Sequence, residues 1–154
     1  MRIQIVKIKK LVTASLALIL APMVYAEGDL SRANVQTVVL EMGTTDGQMY
    51  FKPDHLKFKT GQAYKIVLKN VDPIKHELEA HGFVEKIFTR KVEIADDKGA
   101  LVAEIKGNIR EIEVGPRTQV EWFVVPVQSG ADIEMVCALE GHKEAGMHGL
   151  ITIE

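Results

Sequence analysis

The sequence predicts an all-β domain, a two-sheet Greek-key sandwich with one short helical segment at most. Three observations predict it: short runs rich in β-branched and aromatic residues recur at close intervals, turn signals separate them, and no stretch holds a helical period long enough to compete. In order, strands are expected at Val35 to Leu40, at Met49 to Phe51 running on to Leu56 and Phe58, and at Tyr64 to Asn70. They continue at Val92 to Ala95, Leu101 to Ile105, Glu111 to Val114, Val120 to Val125, Ile133 to Val136 and Leu150 to Ile153.

Tyr64 to Leu68 alternates as a half-buried strand must, because successive side chains leave a strand on opposite faces. Breaks fall at Gly43, Thr60-Gly61, Gly115-Pro116 and Ser129-Gly130, and Asp96-Asp97-Lys98-Gly99 between two strand-like runs reads as a hairpin turn. From Phe83 to Arg90 two readings stay open, a short helical turn carrying Phe83, Ile87 and Arg90 or an irregular loop. Nothing repeats and no low-complexity linker divides the chain. This many strands in a single domain, residues 27–154, fits a sandwich better than a meander.

Residues 1–26 read separately, as a secretory signal peptide. A basic start (Arg2, Lys7, Lys9, Lys10) precedes an apolar run from Leu11 to Ala21 and a Val24-Tyr25-Ala26 end. The apolar run is shorter than the roughly 20 residues of a membrane span, so an exported, periplasmic, soluble product is expected. The rest of the chain has 15 Lys and Arg (19 less those four) against 21 Asp and Glu, a balance of −6. That charge argues against nucleic acid and anionic membrane as partners. It leaves a basic partner protein open, and the chain itself is expected to be a monomer.

The chain has one cysteine, so an exported product cannot form an internal disulfide. Cys137 is then either an inert buried residue or a thiolate occupied by metal. Its surroundings favour metal. Cys137, His142 and Met147 follow a Cys-x4-His-x4-Met spacing between two expected strands, and Gly141 and Gly146 allow that loop to curl. Thiolate and thioether are soft ligands that suit copper, and imidazole accepts copper in either oxidation state, whereas structural zinc rarely takes a thioether. A trigonal site needs a second imidazole from elsewhere in the fold, and His76 satisfies that need just after the turn at Asp72-Pro73.

The residues that carry a family likeness are Phe51-Lys52-Pro53, Gly61-Gln62-Ala63-Tyr64, Asn70-Val71-Asp72 ahead of His76, and the loop from Cys137 to Gly149. With them residues 35–154 resemble the cupredoxin family of type 1 copper proteins, and within it the small periplasmic members linked to copper tolerance. The resemblance implies one copper ion, with His76, Cys137 and His142 as equatorial ligands and Met147 as the long axial one. Many members follow the first His with Asn or Ser. Here Glu77 follows, and it either lowers the reduction potential by its charge or points to solvent.

The remaining candidates carry plainer alternatives. His81 with His148, or Met42 and Met49 with His55, could offer a weak second copper site, against solvated histidines and packed methionines. Glu111, Glu113 and Glu121 read as solvated strand faces and Trp122 as core. Two functions share the copper chemistry: copper tolerance or homeostasis, and electron transfer between periplasmic partners with His142 as the exit; the expected partner is a periplasmic redox or copper-handling protein. An enzyme is not expected. An oxygen-reducing copper cluster needs several His-x-His pairs and the chain has five His in all; a dinuclear centre needs two cysteines; a Cys/His hydrolase needs a third orienting group.

Overall fold

Alternation of apolar and polar residues sorts the chain into two sheets that share one core. The structure, a computed structural model, describes residues 33–95, 98, 101–105 (backbone only) and 109–154. The expected signal peptide at 1–26 lies outside the described residues, as does the hairpin turn at 96–99 apart from Lys98. Among the described residues no helix is long and apolar enough to cross a membrane.

The elements are β1 (Gln36–Thr45), β2 (Gln48–Lys52), β3 (His55–Phe58), β4 (Tyr64–Asn70), β5 (His76–Glu79), α1 (His81–Val84), β6 (Ile87–Ala95), β7 (Leu101–Ile105), β8 (Glu111–Val114), β9 (Gln119–Pro126), β10 (Gly130–Val136) and β11 (His148–Ile153). One sheet has the order β2-β1-β4-β9-β6-β7 and the other β3-β11-β10-β5-β8. The β1–β4 and β3–β11 pairs are parallel and the rest antiparallel. The chain crosses repeatedly between sheets, as a Greek-key sandwich requires.

The core lies between the inner faces. Phe83 stacks on Phe58 with ring centroids 5.2 Å apart and meets Trp122 edge-on at 5.8 Å, while Tyr64 meets Phe58 edge-on at 4.9 Å. Trp122 is buried, and its indole N–H donates to Thr89 Oγ1 at 3.2 Å, which satisfies its one polar atom.

The expected strands are present, and four regions differ in detail. β1 does not break at Gly43 but runs through it to Thr45, because Gly43 pairs with Tyr50 of β2 and its missing side chain leaves room for the Tyr50 ring. The run from Met49 to Phe58 is two strands: β2 belongs to the six-stranded sheet and β3 to the other, with Pro53 at the corner, where a missing N–H ends a ladder without loss. The open segment from Phe83 to Arg90 is divided. Phe83 lies in the four-residue α1 and fills the core, whereas Ile87 and Arg90 already belong to β6. His76 begins a strand of its own, β5, which is too short to show a period in the sequence.

Candidate metal centre

Two strand ends meet at one end of the sandwich, the start of β5 and the end of β10. On β5, His76 and Leu78 face the core, because they alternate with Glu77 and Glu79. The turn ahead of His76 is fixed by Asn70, buried at the end of β4. Its Nδ2 donates to the carbonyls of Ile74 (2.7 Å), Val114 (3.0 Å) and Gly115 (3.1 Å), and its Oδ1 accepts the Asp72 N–H at 2.8 Å. One side chain therefore joins β4, the turn and the end of β8.

Asp72 is held by that turn and in turn holds His76. Its carboxylate accepts the Thr44 N–H (3.0 Å), the Thr44 hydroxyl (2.5 Å) and His76 Nε2 (2.8 Å). Burial pushes the Asp72 carboxyl up, but the bonds from Thr44 and His76 outweigh it and hold the group below the ordinary carboxylate range. An ionised carboxylate only accepts, so Nε2 of His76 carries the hydrogen, and a neutral ring then presents a bare lone pair at Nδ1.

The loop after β10 brings the other donors. Cys137 donates its N–H to the Met147 carbonyl (3.1 Å), and Met147 donates to the His142 carbonyl (3.0 Å), so the loop closes on itself. Gly141 and Gly146 take positive φ of 80° and 106°, and a Cβ on Gly146 would come within 2.9 Å of the Met49 carbonyl oxygen. The Met49 N–H, donated to Ala145 at 2.9 Å, pins the same loop to β2.

The structure brings three of the four expected ligands together. Nδ1 of His76 and Nδ1 of His142 are 3.3 Å apart, Cys137 Sγ is 3.3 Å from His142 Nδ1, and the donor atoms of the three residues all lie within 4.8 Å of one another. Donors about 2.0–2.3 Å from one first-row ion, in a trigonal or tetrahedral set, lie roughly 3.3–3.8 Å apart, so the cluster is close to the size that an ion needs. Met147 is fully buried and tied by its backbone to Cys137 and to His142.

The thiol is buried, and its sulfur accepts the Glu77 backbone N–H at 3.3 Å. Burial pushes the Cys137 thiol up despite backbone N–H groups of Glu77 and Leu139 that lower it, and burial followed by the neighbouring His76 pushes His142 down. Both shifts favour the uncharged forms of Cys137 and His142.

Other candidates separate clearly. Glu77 neither faces the cluster nor extends into solvent: it is 9% exposed on the outer face of β5 beside Glu79 and Glu111. Burial, then Glu111, Glu79 and Glu113, push its carboxyl up. Met42 is buried in the core, Met49 packs against it, and His55 is an exposed partner of Thr152. His81 pairs with Glu79, and His148 is exposed beside the axial candidate. Among the described residues, neither belongs to a group of three His, Cys, Asp or Glu donors within metal reach. Asp72 and Thr44 escape a reading of the sequence, in which Asp72-Pro73 signals only a turn; the clue was the need of any ligating imidazole for an acceptor at its far nitrogen.

No family model matches the sequence, and no curated protein matches it. Solved structures do match the fold. A multicopper oxidase from Aquifex aeolicus aligns at 15% identity and a TM-score of 0.60, over 82% of this chain and 30% of its own. Copper-containing nitrite reductases from Thermus scotoductus and Nitrosomonas europaea each align at 14% identity and a TM-score of 0.59, over 77% of this chain and 31% and 49% of theirs. The chain thus spans about a third to a half of the length of these structures, and the shared architecture is the cupredoxin sandwich. This corrects the expectation that the chain is not an enzyme. Oxidases and reductases carry this fold, and the shortage of histidines argues only against one kind of copper cluster.

Proposed function

We propose that this protein binds one copper ion through His76, Cys137, His142 and Met147, and that it serves copper tolerance in the periplasm. One observation carries the copper reading: a buried thiol and two imidazole Nδ1 atoms converge at 3.3 Å separations, with His76 oriented by Asp72. The donor set is soft, and the copper proteins of the same fold give the reading further support. Copper would supply a one-electron redox centre. The chain's own part is to hold the ligands in place: Asp72 fixes the His76 ring, the Glu77 N–H steadies the sulfur, and burial of Cys137 and Met147 keeps water from both.

The tolerance role rests on the family resemblance and on the acidic balance of residues 27–154. A second reading, a soluble electron carrier between periplasmic partners, is favoured by His142, which is only half-buried while the other three side chains are fully covered. Protein loaded with Cu(II) should show intense thiolate-to-copper charge transfer at one equivalent, and Cys137→Ser should abolish it. A colourless wild type ends the copper reading. A deletion strain that fails on copper-rich medium but respires normally supports tolerance; normal growth with failed respiration selects the carrier.

A further inference from the structure

The thioether of Met147 carries no N–H or O–H by which it could be oriented, so its place depends on the backbone that bears it. That backbone is seated at two points. The first is Gly146, the residue before Met147, where a Cβ would come within 2.9 Å of the Met49 carbonyl oxygen. The second is Gly149, two residues after it on β11. There a Cβ would run into the Asp54 carbonyl oxygen and come within 2.5 Å of Met135 Cε, at the buried position opposite Gly149 on β10.

Neither carbonyl is free to swing aside. Met49 donates its own N–H to Ala145 at 2.9 Å, and the Asp54 carbonyl accepts the Leu150 N–H at 2.8 Å, so a hydrogen bond locks each contact beside the glycine. A backbone seated on backbone has no rotamer by which to yield. Both seats lie on one stretch of chain: Met49 belongs to β2 of the six-stranded sheet, and Asp54 to the corner between β2 and β3. The thiolate and the first imidazole are carried differently, because His76 begins β5 and Cys137 follows β10, both in the five-stranded sheet. The segment bearing Met147 is thus pressed against a surface that holds neither of them.

Resting on the copper reading above, we propose that Gly146 and Gly149 are positioning residues for the axial ligand. By letting the Met147 segment sit directly on the Met49 and Asp54 carbonyls, they set how near the thioether stands to the ion. In a copper site of one thiolate and two imidazoles the axial ligand tunes the reduction potential, so this clearance reaches the redox chemistry.

The test is the visible spectrum and reduction potential of copper-loaded Gly149→Ala, made alone and in a Met147→Leu background. Gly149 lacks the positive φ of Gly146, so alanine there probes the contact and not backbone strain. The single variant still binds one equivalent, since His76, Cys137 and His142 are untouched, but its potential and the balance between its thiolate-to-copper bands shift from wild type. In the Met147→Leu background the same substitution shifts neither. Gly146→Ala also shifts both, and decides the matter if Gly149→Ala does not fold. Gly47→Ala is the control for strain: with a φ of 82° and open space around its Cβ, in the turn between β1 and β2, it lowers the melting temperature and leaves the spectrum unchanged. The inference is overturned if a coloured wild type keeps its bands and potential in the alanine variants, if the shift survives loss of the Met147 thioether, or if Gly47→Ala produces it too. A colourless wild type ends the copper reading and takes this inference with it.

Discussion

Residues 76 and 77 are neighbours on one strand, yet they belong to opposite kinds of surroundings. On the inner face, His76 sits in a network in which each polar group has a partner: Asn70 holds Asp72, Asp72 and Thr44 hold each other, and Asp72 holds the imidazole. On the outer face, Glu77 lies beside the carboxylates of Glu79 and Glu111, and burial and its acidic neighbours push its carboxyl up. The difference teaches where the site's organisation comes from. The inner site is built in advance by hydrogen bonds within the chain, so removing any member should cost stability. In the outer cluster the carboxylates oppose one another, so removing one should not.

The largest effect is expected from His76→Ala. It strips the buried Asp72 carboxylate of its imidazole and opens a cavity at a fully buried position, which should destabilise the fold by about 3 kcal/mol or more. Chemical denaturation should show this in metal-free protein, and copper-dependent colour should vanish. Asn70→Ala comes next. It leaves three carbonyls and one N–H to find other partners, a loss of about 2–3 kcal/mol, and frees the turn that places His76. If it left the melting temperature unchanged, the inner site would be no better organised than the outer cluster.

Asp72→Asn is milder in stability and sharper in chemistry. An amide oxygen can still accept from His76 Nε2, but it lacks the charge that makes the imidazole a stronger donor. Copper affinity should fall about 10- to 100-fold, in line with the usual effect of losing a partner behind a metal ligand, and the reduction potential should rise. An unchanged potential would mean that Asp72 orients the ring and does not tune it.

Much of this was legible in the sequence, for reasons that differ by residue. Strands such as β4 and β8 could be read because one face is buried and the other is wet, and that alternation is printed in residues 64–70 and 111–114. The loop donors could be read because a single stretch supplies Cys137, His142 and Met147. β5 could not be, since the alternation of four residues is too short to stand out as a period, and its partners lie far away in sequence. The same holds for the partners of His76: Asp72 reads as a turn former, and the contact with Thr44 spans 28 residues. Glu77 was legible as an oddity after His76. Its burial was not, because that depends on β8 lying alongside.

Thr44→Val should have the smallest effect and is the finest test of the inner network. It removes the hydroxyl donor to Asp72 Oδ2 while the Thr44 backbone N–H and His76 Nε2 remain bonded to the carboxylate. Val and Thr are close in shape, so the change is one hydrogen bond to a charged acceptor, about 1–2 kcal/mol. The carboxylate keeps its charge and its contact with the imidazole, so copper affinity should fall less than in Asp72→Asn and the potential should hardly move. A calorimetric melt with a copper titration separates the outcomes. Were Thr44→Val to weaken copper as much as Asp72→Asn does, the position of the carboxylate rather than its charge would govern the site, and the network's reach would extend back to β1.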